Sequence, residues 1–550
     1  MHHPDAASPA LTADVLIVGF GPVGKLLAIQ LGRRGHDVVV VDRQRAGYPL
    51  PRAVTHCSDF ARILQSAGLA PDTIPEITRP YDDMYVWRNG DGRTLVEVDW
   101  SGRGESGWYN TYFFHQPALE AALDEVIAGL SAVRVMRGWE AVRLSQDSGP
   151  AQDSGPAQDS GPAQDSDTVT VGLRAAGDGG RVDVTARWVV GADGANSQVR
   201  RWAGIDWHDE GYFHDWLVVD VKPSPSLEFP HVAAQSCDVR RPSTMVPGGP
   251  GRRRWEFMRL PHESKDELNR PAKAWELLAP YGITPDNAEL ERHSVYTFQA
   301  GWATRWRKGR VLLAGDAAHL MPPFAGQGLG AGFRDVMNLG WKLDAVLRGL
   351  AGDGLLDTYD SERLRHVIAF VRFSMDLGKV ICISDPAEAA ARDARMIADW
   401  AAGMKPPAPP RPPLGPGVHT GPAGGRLARQ GRVRVRGVTA RFDDAFGGPG
   451  ALVARSAGTL GELPGPARAA LGDLGIDLVV LSGPETPGVT VAEDADGVYT
   501  AWLDELAAEA VLVRPDFHVY GAGDDATDLA TGLLTHLGAD GALVRGPCRC

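Results

Sequence analysis

Three stretches of this 550-residue chain place glycines and a carboxylate directly after an apolar run, the arrangement with which a backbone can close on a phosphate or a sugar. The first is Gly19-Phe20-Gly21-Pro22-Val23-Gly24, after Asp14-Val15-Leu16-Ile17-Val18. The second is Ala192-Asp193-Gly194, after Trp188-Val189-Val190-Gly191. The third is Gly315-Asp316, after Val311-Leu312-Leu313-Ala314, and it runs on through His319, Pro322, Pro323 and Gly326-Gln327-Gly328-Leu329-Gly330. In the first stretch Gly19 permits a tight turn, Gly21 lets the backbone approach a pyrophosphate, and Gly24 lets a helix pack closely on a strand. A helix beginning there presents free N–H groups and a positive dipole end to phosphates. Asp42, followed by Arg43, closes the next apolar run, and its carboxylate can accept from ribose hydroxyls.

These residues need a strand, a helix and a second strand in register. Residues 14–18 form a continuous apolar run of the kind found in a buried parallel strand. A helical pattern follows over residues 25–34, Gly35 closes it, and residues 37–41 are again apolar. The result is a βαβ unit that binds a dinucleotide. The Asp193-Gly194 turn leads into a helix capped by Asn196 or Ser197, and the Gly-rich run 326–330 leads into a helix expected from about residue 330 to 347. Backbone N–H groups of that run suit a developing negative charge, while Pro322 and Pro323 remove donors and stiffen the loop.

Composition removes several function classes. The chain is long enough for two or three domains. No apolar run approaches the ~20 residues of a membrane helix, and residues 1–15 lack the features of a secretory signal. Five scattered cysteines suit reduced thiols in a cytoplasm, and Cys548 and Cys550 are not expected to bind metal. A net charge of -13 argues against a nucleic-acid surface. A small-molecule partner is therefore expected, with the protein a monomer or homodimer.

In order and spacing, the three markers resemble those of the flavoprotein aromatic hydroxylases of the para-hydroxybenzoate hydroxylase class, over roughly residues 14–375. Pro51-Arg52-Ala53, Phe114-His115-Gln116-Pro117-Ala118-Leu119-Glu120, Trp216-Leu217-Val218-Val219-Asp220, Arg253-Arg254-Trp255-Glu256-Phe257-Met258 and Leu356-Asp357-Thr358-Tyr359 resemble the branch containing 3-(3-hydroxyphenyl)propionate hydroxylase. The resemblance implies an α/β fold: a Rossmann-type FAD-binding domain, an inserted α+β substrate domain and a thioredoxin-like C-terminal domain. It implies noncovalent FAD, NADH or NADPH as reductant, O₂ as co-substrate, and hydroxylation of a phenol through a flavin C4a-hydroperoxide. Arg52 and Gln116 would lie at the flavin, Asp193 and Gly194 near the pyrophosphate and nicotinamide route, and Asp316 on the ribityl chain. Pro322, Gly326, Gly328, Leu329 and Gly330 would line the ring. His56, Tyr212, His319 and Pro323 are candidates for the substrate side, and no general base is identified. An aromatic polyketide hydroxylase, or a flavoprotein that reduces, oxidises or binds ligand without oxygen insertion, is the alternative.

Three positions depart from the pattern: Lys25 after the last fingerprint glycine, expected on a tolerant helix face; Gly330, where an Asn is common; and Thr55-His56-Cys57-Ser58, where an acid is common. The expected division is 1–201 and 301–404 for the FAD-binding domain with long helices, 202–300 for the substrate domain, 405–417 for a Pro-rich linker, and 418–550 for the C-terminal domain, which lacks C-x-x-C. In the substrate region, residues 216–221, 235–246 and 254–259 read as strands, and Arg252, Arg253 and Arg254 as a solvated hairpin end. The repeat QDSGPA over residues 146–166 is too polar to bury a core and extends a hairpin loop.

Overall fold

The computed structural model describes residues 11–146, 167–177, 179–225, 227, 233–406, 408–448, 450–461 and 463–538. The apolar runs become adjacent strands of one sheet. Its order is Arg307–Lys308, Val311–Leu313, Arg181–Gly191, Leu11–Val18, Val38–Asp42, Val133–Arg137. The central pairs are parallel: Val18 lies opposite both Val41 and Gly191, and Gly191 opposite Leu313. The three Gly-containing turns therefore leave the same edge of the sheet side by side, which is where α/β sheets bind ligands. Val15, Leu16 and Ile17 are wholly buried, each contributing about 1.5–3 kcal/mol of apolar burial.

The first helix spans Pro22–Arg33, beginning three residues before the sequence pattern suggested, because Pro at the first helical position is already set at helical φ. The inner helix Gly328–Leu347 is buried on nearly every side and packs against the first. The helices Asp357–Ile381 and Pro386–Ala401 follow.

The second sheet has the order His319–Leu320, Ala288–Ala303, Trp207–Pro223, Arg253–Met258, Ser243–Pro247, Ala233–Cys237, Met84–Asn89, Thr94–Asp99. It thus draws strands from 84–99 and 319–320 as well as from 202–300. The single strand expected over 235–246 is two antiparallel strands, with Gln235 opposite Thr244; Asp238 accepts from the Arg240 N–H and turns the chain between them. Leu217, Val219, Val221, Trp255 and Phe257 form one face and pack on the helices Lys265–Leu268 and Pro271–Leu278. On the other face Trp216, Val246 and Met258 pack with Val54, Phe113 and Ile381.

Trp139–Gln146 and Val169–Ala175 pair antiparallel with Gln146 opposite Val169, so the flanks of the QDSGPA insert form a hairpin; residues 147–166 lie outside the described residues, as do Cys548 and Cys550. The Pro-rich segment is tied down at its end, where the Gly415 N–H donates to the Glu362 carbonyl (2.9 Å) and Leu414 is buried. Beyond it, a five-stranded sheet runs Thr490–Val491, Ile476–Ser482, Gly450–Ser456, Ala510–Val513, Val519–Gly523. Leu452, Ala454, Val480 and Leu512 face Leu529 and Leu533 of the helix Ala526–His536, and Val453, Val479 and Val511 face Tyr499 and Trp502. Arg514 holds this domain to the long helix, with both carboxylate oxygens of Glu362 within 2.9 Å of its guanidinium.

Candidate active site

The fingerprint glycines divide by what surrounds them. A Cβ on Gly19 (φ 110°) would lie 2.3 Å from the Ala192 carbonyl oxygen, and one on Gly24 would lie 2.1 Å from the Gly19 oxygen. Gly21 has nothing within 4 Å of that position. So Gly19 and Gly24 are demanded by the protein, whereas Gly21 opens onto the cleft. Gly21 caps the first helix with no side-chain hydrogen bond, leaving its first N–H groups to a ligand. Asp42 accepts from the Phe20 N–H (2.8 Å) and the Gln44 N–H (2.7 Å), and Arg43 is exposed beside it.

Val23 is wedged between the first and third turns: a Cβ on Gly315 (φ 63°) would meet it at 2.9 Å. Asp316 is open to the cleft yet ringed by protein, which raises its carboxyl above the ordinary range while His319 and Arg52 pull it back. His319, expected on the substrate side, is instead buried behind this turn, its Nε2 2.7 Å from Asp335 Oδ2 and its ring against Trp306. Asp335 also accepts from the Gly315 N–H (3.0 Å) and from Arg363 Nε (3.0 Å). Burial alone would raise the Asp335 carboxyl, but His319 and Arg363 hold it below its ordinary value.

At the second turn Asp193 is already engaged. Its oxygens accept from Ser197 Oγ (2.5 Å) and from the Gln198 and Val199 N–H groups (2.7 and 3.1 Å), capping the helix Gln198–Trp202. Asp193 and Gly194 (φ 78°) thus give the turn its shape, and Ser197, one of the two caps expected, accepts from the Arg200 N–H. Arg200 ties this turn to the third by donating to the Ala317 carbonyl (2.7 Å).

The wall at 51–55 is fixed from beneath. Gln116 Oε1 accepts from the N–H groups of Arg52 (3.1 Å) and Ala53 (2.7 Å), and Gln116 Nε2 donates to Glu120 Oε1 (2.8 Å). Lys25, expected on a tolerant helix face, is buried and reaches Glu120 at 3.1 Å and Asp124 at 3.0 Å. An ammonium can be buried there because two carboxylates surround it. The Arg52 guanidinium is exposed and lies over the Tyr48 ring at 4.5 Å.

Opposite, the inner helix begins at Gly328, two residues earlier than expected, with no side-chain cap from Gln327. Gly326 (φ 63°) closes on Thr55, and the nearest atom to a Cβ on Gly328 is 4.0 Å away. At Gly330 a Cβ would make ordinary contacts of 3.6–3.8 Å with Arg334 and Phe60. Arg334 donates to Asp59 (2.5 Å), Gln327 (3.0 Å) and Cys57 Sγ (3.2 Å). The departures at 55–58 and at Gly330 therefore meet around one guanidinium. Burial, with the Asp59 charge, pushes the Cys57 thiol up to about 12. His56, a pocket candidate from sequence, is a core residue stacked between Phe60 and Tyr112 (4.7 Å each), with Nε2 3.0 Å from Thr78 Oγ1; burial lowers its pKa to about 4.

The inner face of the second sheet meets the third turn. Phe324, which follows Pro322 and Pro323 in the short turn Pro323–Ala325, meets Trp216 at 5.6 Å and Phe298 at 5.9 Å. Leu329 is half-buried at the head of the inner helix. Tyr212 is buried against the long helix, its hydroxyl 3.7 Å from Cys382 Sγ. Arg253 and Arg254 are buried and not a solvated hairpin end: Arg254 pairs with Asp220 (2.7 and 2.9 Å) and donates to the Pro51 and Arg52 carbonyls (3.0 and 2.6 Å). Sequence reasoning missed Asp335, Arg363, Phe324 and the Lys25–Glu120 pair. Only Glu120 left a signal, one helical turn after Gln116.

A family model described as FAD binding domain matches residues 12–374, and one described as HcaD C-terminal domain matches residues 425–536. The chain is 38% identical over 524 residues to a probable NADH-specific resorcinol 4-hydroxylase of Rhodococcus jostii, covering 95% of this chain and 94% of that one. It is 34% identical to a 3-(3-hydroxy-phenyl)propionate/3-hydroxycinnamic acid hydroxylase of Mycolicibacterium gilvum, covering 97% and 94%. Among solved structures it resembles the flavin-dependent monooxygenase PieE in complex with FAD and substrate (TM-score 0.75, 22% identity, 96% of this chain and all of that one). It also resembles aklavinone-11 hydroxylase with FAD and aklavinone (TM-score 0.72, 25% identity, 96% and 98%). With two thirds of its length inside one family and full-length relatives above 30% identity, the chain belongs to the FAD binding domain family and is an FAD-dependent aromatic hydroxylase.

Proposed function

We propose that this enzyme uses NADH and O₂ to hydroxylate a small phenol with a second substituent meta to the hydroxyl, resorcinol or a 3-hydroxyphenylpropanoate. The named relatives support this substrate class, and the aromatic compartment beside the three turns supports it physically. The observation that carries it is the position of Phe324, Trp216 and Phe298, which pack into one apolar cluster with Val54 of the 51–55 wall on the inner face of the second sheet.

The residues present fit FAD. Gly21, Gly194 and Gly328 have no atom closer than 4.0 Å to a Cβ position, and the helices that start beside Gly21 and Gly328 have no side-chain caps. In this reading Gly19 to Gly24 hold the pyrophosphate, Asp42 and Arg43 the adenosine ribose side, and Asp316 the ribityl hydroxyls. Arg52 and the Gln116-fixed wall take one edge of the ring system, and Pro322, Gly326, Gly328, Leu329 and Gly330 take the other. FAD, when bound, supplies electron transfer from NADH and activation of O₂. The chain supplies position and dryness: the N–H groups of Gly328 and Leu329 stabilise negative charge, Pro322 offers no donor to water, and the aromatic walls keep solvent out. Free thiols at Cys57, Cys237 and Cys382 support a reducing, cytoplasmic location.

The test is a substrate screen on the purified, FAD-loaded enzyme with resorcinol, 3-hydroxyphenylpropanoate and polycyclic phenols. Expected is NADH consumption equal to product gaining one oxygen atom from one of the first two. Hydrogen peroxide as the only product with every phenol would overturn the reading.

A further inference from the structure

A phenol becomes a better nucleophile when a neighbouring group takes its proton, and the 55–59 stretch has no acid free to do so. Asp59 is held by Arg334 and by the Cys57 thiol (2.8 Å). The second sheet carries a carboxylate that is not so engaged. Glu256 lies in Arg253–Met258, opposite Val218 on one side and Thr244 on the other. Two residues either way, Met258 lies opposite Trp216 and Arg254 opposite Asp220. Glu256 thus shares its face with Trp216, the face closed by Phe324.

The polar groups around it are committed elsewhere. Asp220 is taken by Arg254 through two hydrogen bonds, with Arg292 at 3.5 Å. Tyr85 and Thr244 both donate to Gln235 Oε1 (3.2 and 2.7 Å). Among the described residues Glu256 has only Arg254 Nη1 at 3.7 Å, a nitrogen that already donates to the Arg52 carbonyl. Twelve per cent of the Glu256 side chain remains accessible to solvent, and Thr244, Tyr296 and Phe298 on the same face are also only half-buried, so the compartment is open in front of it. Among the described residues, Arg254, Arg292, Asp220 and Tyr85 are the ionisable groups that face it. Two cations and two carboxylates balance there, and burial raises the Glu256 carboxyl above its ordinary value, which strengthens it as a base.

Resting on the phenol hydroxylase reading above, we propose that Glu256 accepts the proton of the substrate's phenolic hydroxyl. The O–H bond breaks, its electron pair stays on oxygen, and the proton moves to a Glu256 carboxylate oxygen. As the oxygenated ring regains aromaticity, its C–H proton leaves to water and Glu256 returns its proton to the same phenolic oxygen.

Two measurements on the full-length FAD-loaded enzyme test this, with Glu256→Gln and Glu256→Asp. In turnover of resorcinol, Glu256→Gln should lower kcat by about 10²–10⁴-fold, the usual contribution of a positioned base. FAD content should not change, and the acid limb of the wild-type pH profile should disappear. Glu256→Asp should keep that limb and recover part of the rate. In binding of 4-nitrophenol without NADH, read from the differing absorption of phenol and phenolate, the wild type should show two coupled titration steps and Glu256→Gln a single one. Identical titrations in the two proteins would overturn the role of Glu256, as would an unchanged acid limb in an active Glu256→Gln enzyme. If wild type oxygenates no phenol yet the titrations differ, the functional reading fails while Glu256 stands as the group that shares the phenol's proton.

Discussion

Asp335 accepts a hydrogen bond from the Gly315 backbone N–H at 3.0 Å, so a carboxylate of the inner helix sets the turn that presents Asp316 to the cleft. The same carboxylate holds His319 and Arg363, all of them buried. Removing one member leaves the others with uncompensated charge or an unmade hydrogen bond. Asp335→Ala should lose about 3–5 kcal/mol of stability, and any folded protein should release FAD on dilution. Urea unfolding and the fluorescence of released FAD would check both; unchanged FAD retention would show that the turn does not depend on this carboxylate.

The glycines separate fold from ligand. Gly21→Ala places its methyl in open cleft, so the FAD-free protein should unfold within about 1 kcal/mol of wild type, the size of the backbone effect alone, while FAD affinity falls at least tenfold. Gly24→Ala drives a Cβ into the Gly19 carbonyl and should give little soluble protein. Thermal melts with and without FAD distinguish the two, and equal FAD affinity in Gly21→Ala and wild type would contradict the assignment.

Acid sensitivity has an identifiable contributor in His56. Folded, its pKa is lowered from 6.5 to about 4, chiefly by burial, so the native core prefers the neutral ring. Above pH 6.5 that preference costs nothing. As pH falls from 6.5 toward 4 the unfolded chain takes up a proton that the folded chain refuses, and about 3 kcal/mol of stability is lost. His56→Phe, which keeps the stack with Phe60 and Tyr112, should flatten this part of the stability profile, as measured by urea unfolding between pH 7 and 4. A parallel decline in both proteins would place the sensitivity elsewhere.

The C-terminal domain is gripped by charge at two places. Arg514 meets Glu362 and Asp516, and Arg62 meets Asp443 at 2.6 Å. Arg514→Gln leaves the buried carboxylates of Glu362 and Asp516 without their shared guanidinium, one negative charge in excess beside Lys342, and should cost about 3–5 kcal/mol. Breaking the exposed pair of Arg432 and Asp496 should leave the urea midpoint nearly unchanged. Similar losses from both substitutions would argue against a buried brace.

Much of this arrangement was readable because it is local. The tight turn at Gly19, the close packing at Gly24 and the apolar runs between them follow from the properties of a few neighbouring residues. What was missed are partners that come from other elements: Glu120 for Lys25, Arg334 for Asp59, Asp335 for His319. Nothing in the spacing of Lys25 says that two acids of another helix will surround it, so its burial could not be foreseen. His56 and His319 read as functional because histidine titrates near neutrality, yet a histidine given one good partner and aromatic neighbours is simply core. Alternation placed most strands of the second sheet but could not choose its inner face, which is fixed by Phe324 and by the Pro51 and Arg52 carbonyls that Arg254 holds.

That choice of face turns residue number into a map for altering specificity. Along Trp207–Pro223 and Arg253–Met258, Trp216, Val218, Glu256 and Met258 share the face closed by Phe324, while Leu217, Val219, Trp255 and Phe257 look into the sheet's own hydrophobic core. A library confined to Val218 and Met258, with Glu256 and Trp216 kept, would vary that face and leave the core against the helices Lys265–Leu268 and Pro271–Leu278 untouched. One confined to the core-facing set would mostly sample unfolded protein, so the enzyme's capacity to acquire new substrates resides in every other residue of the same strands.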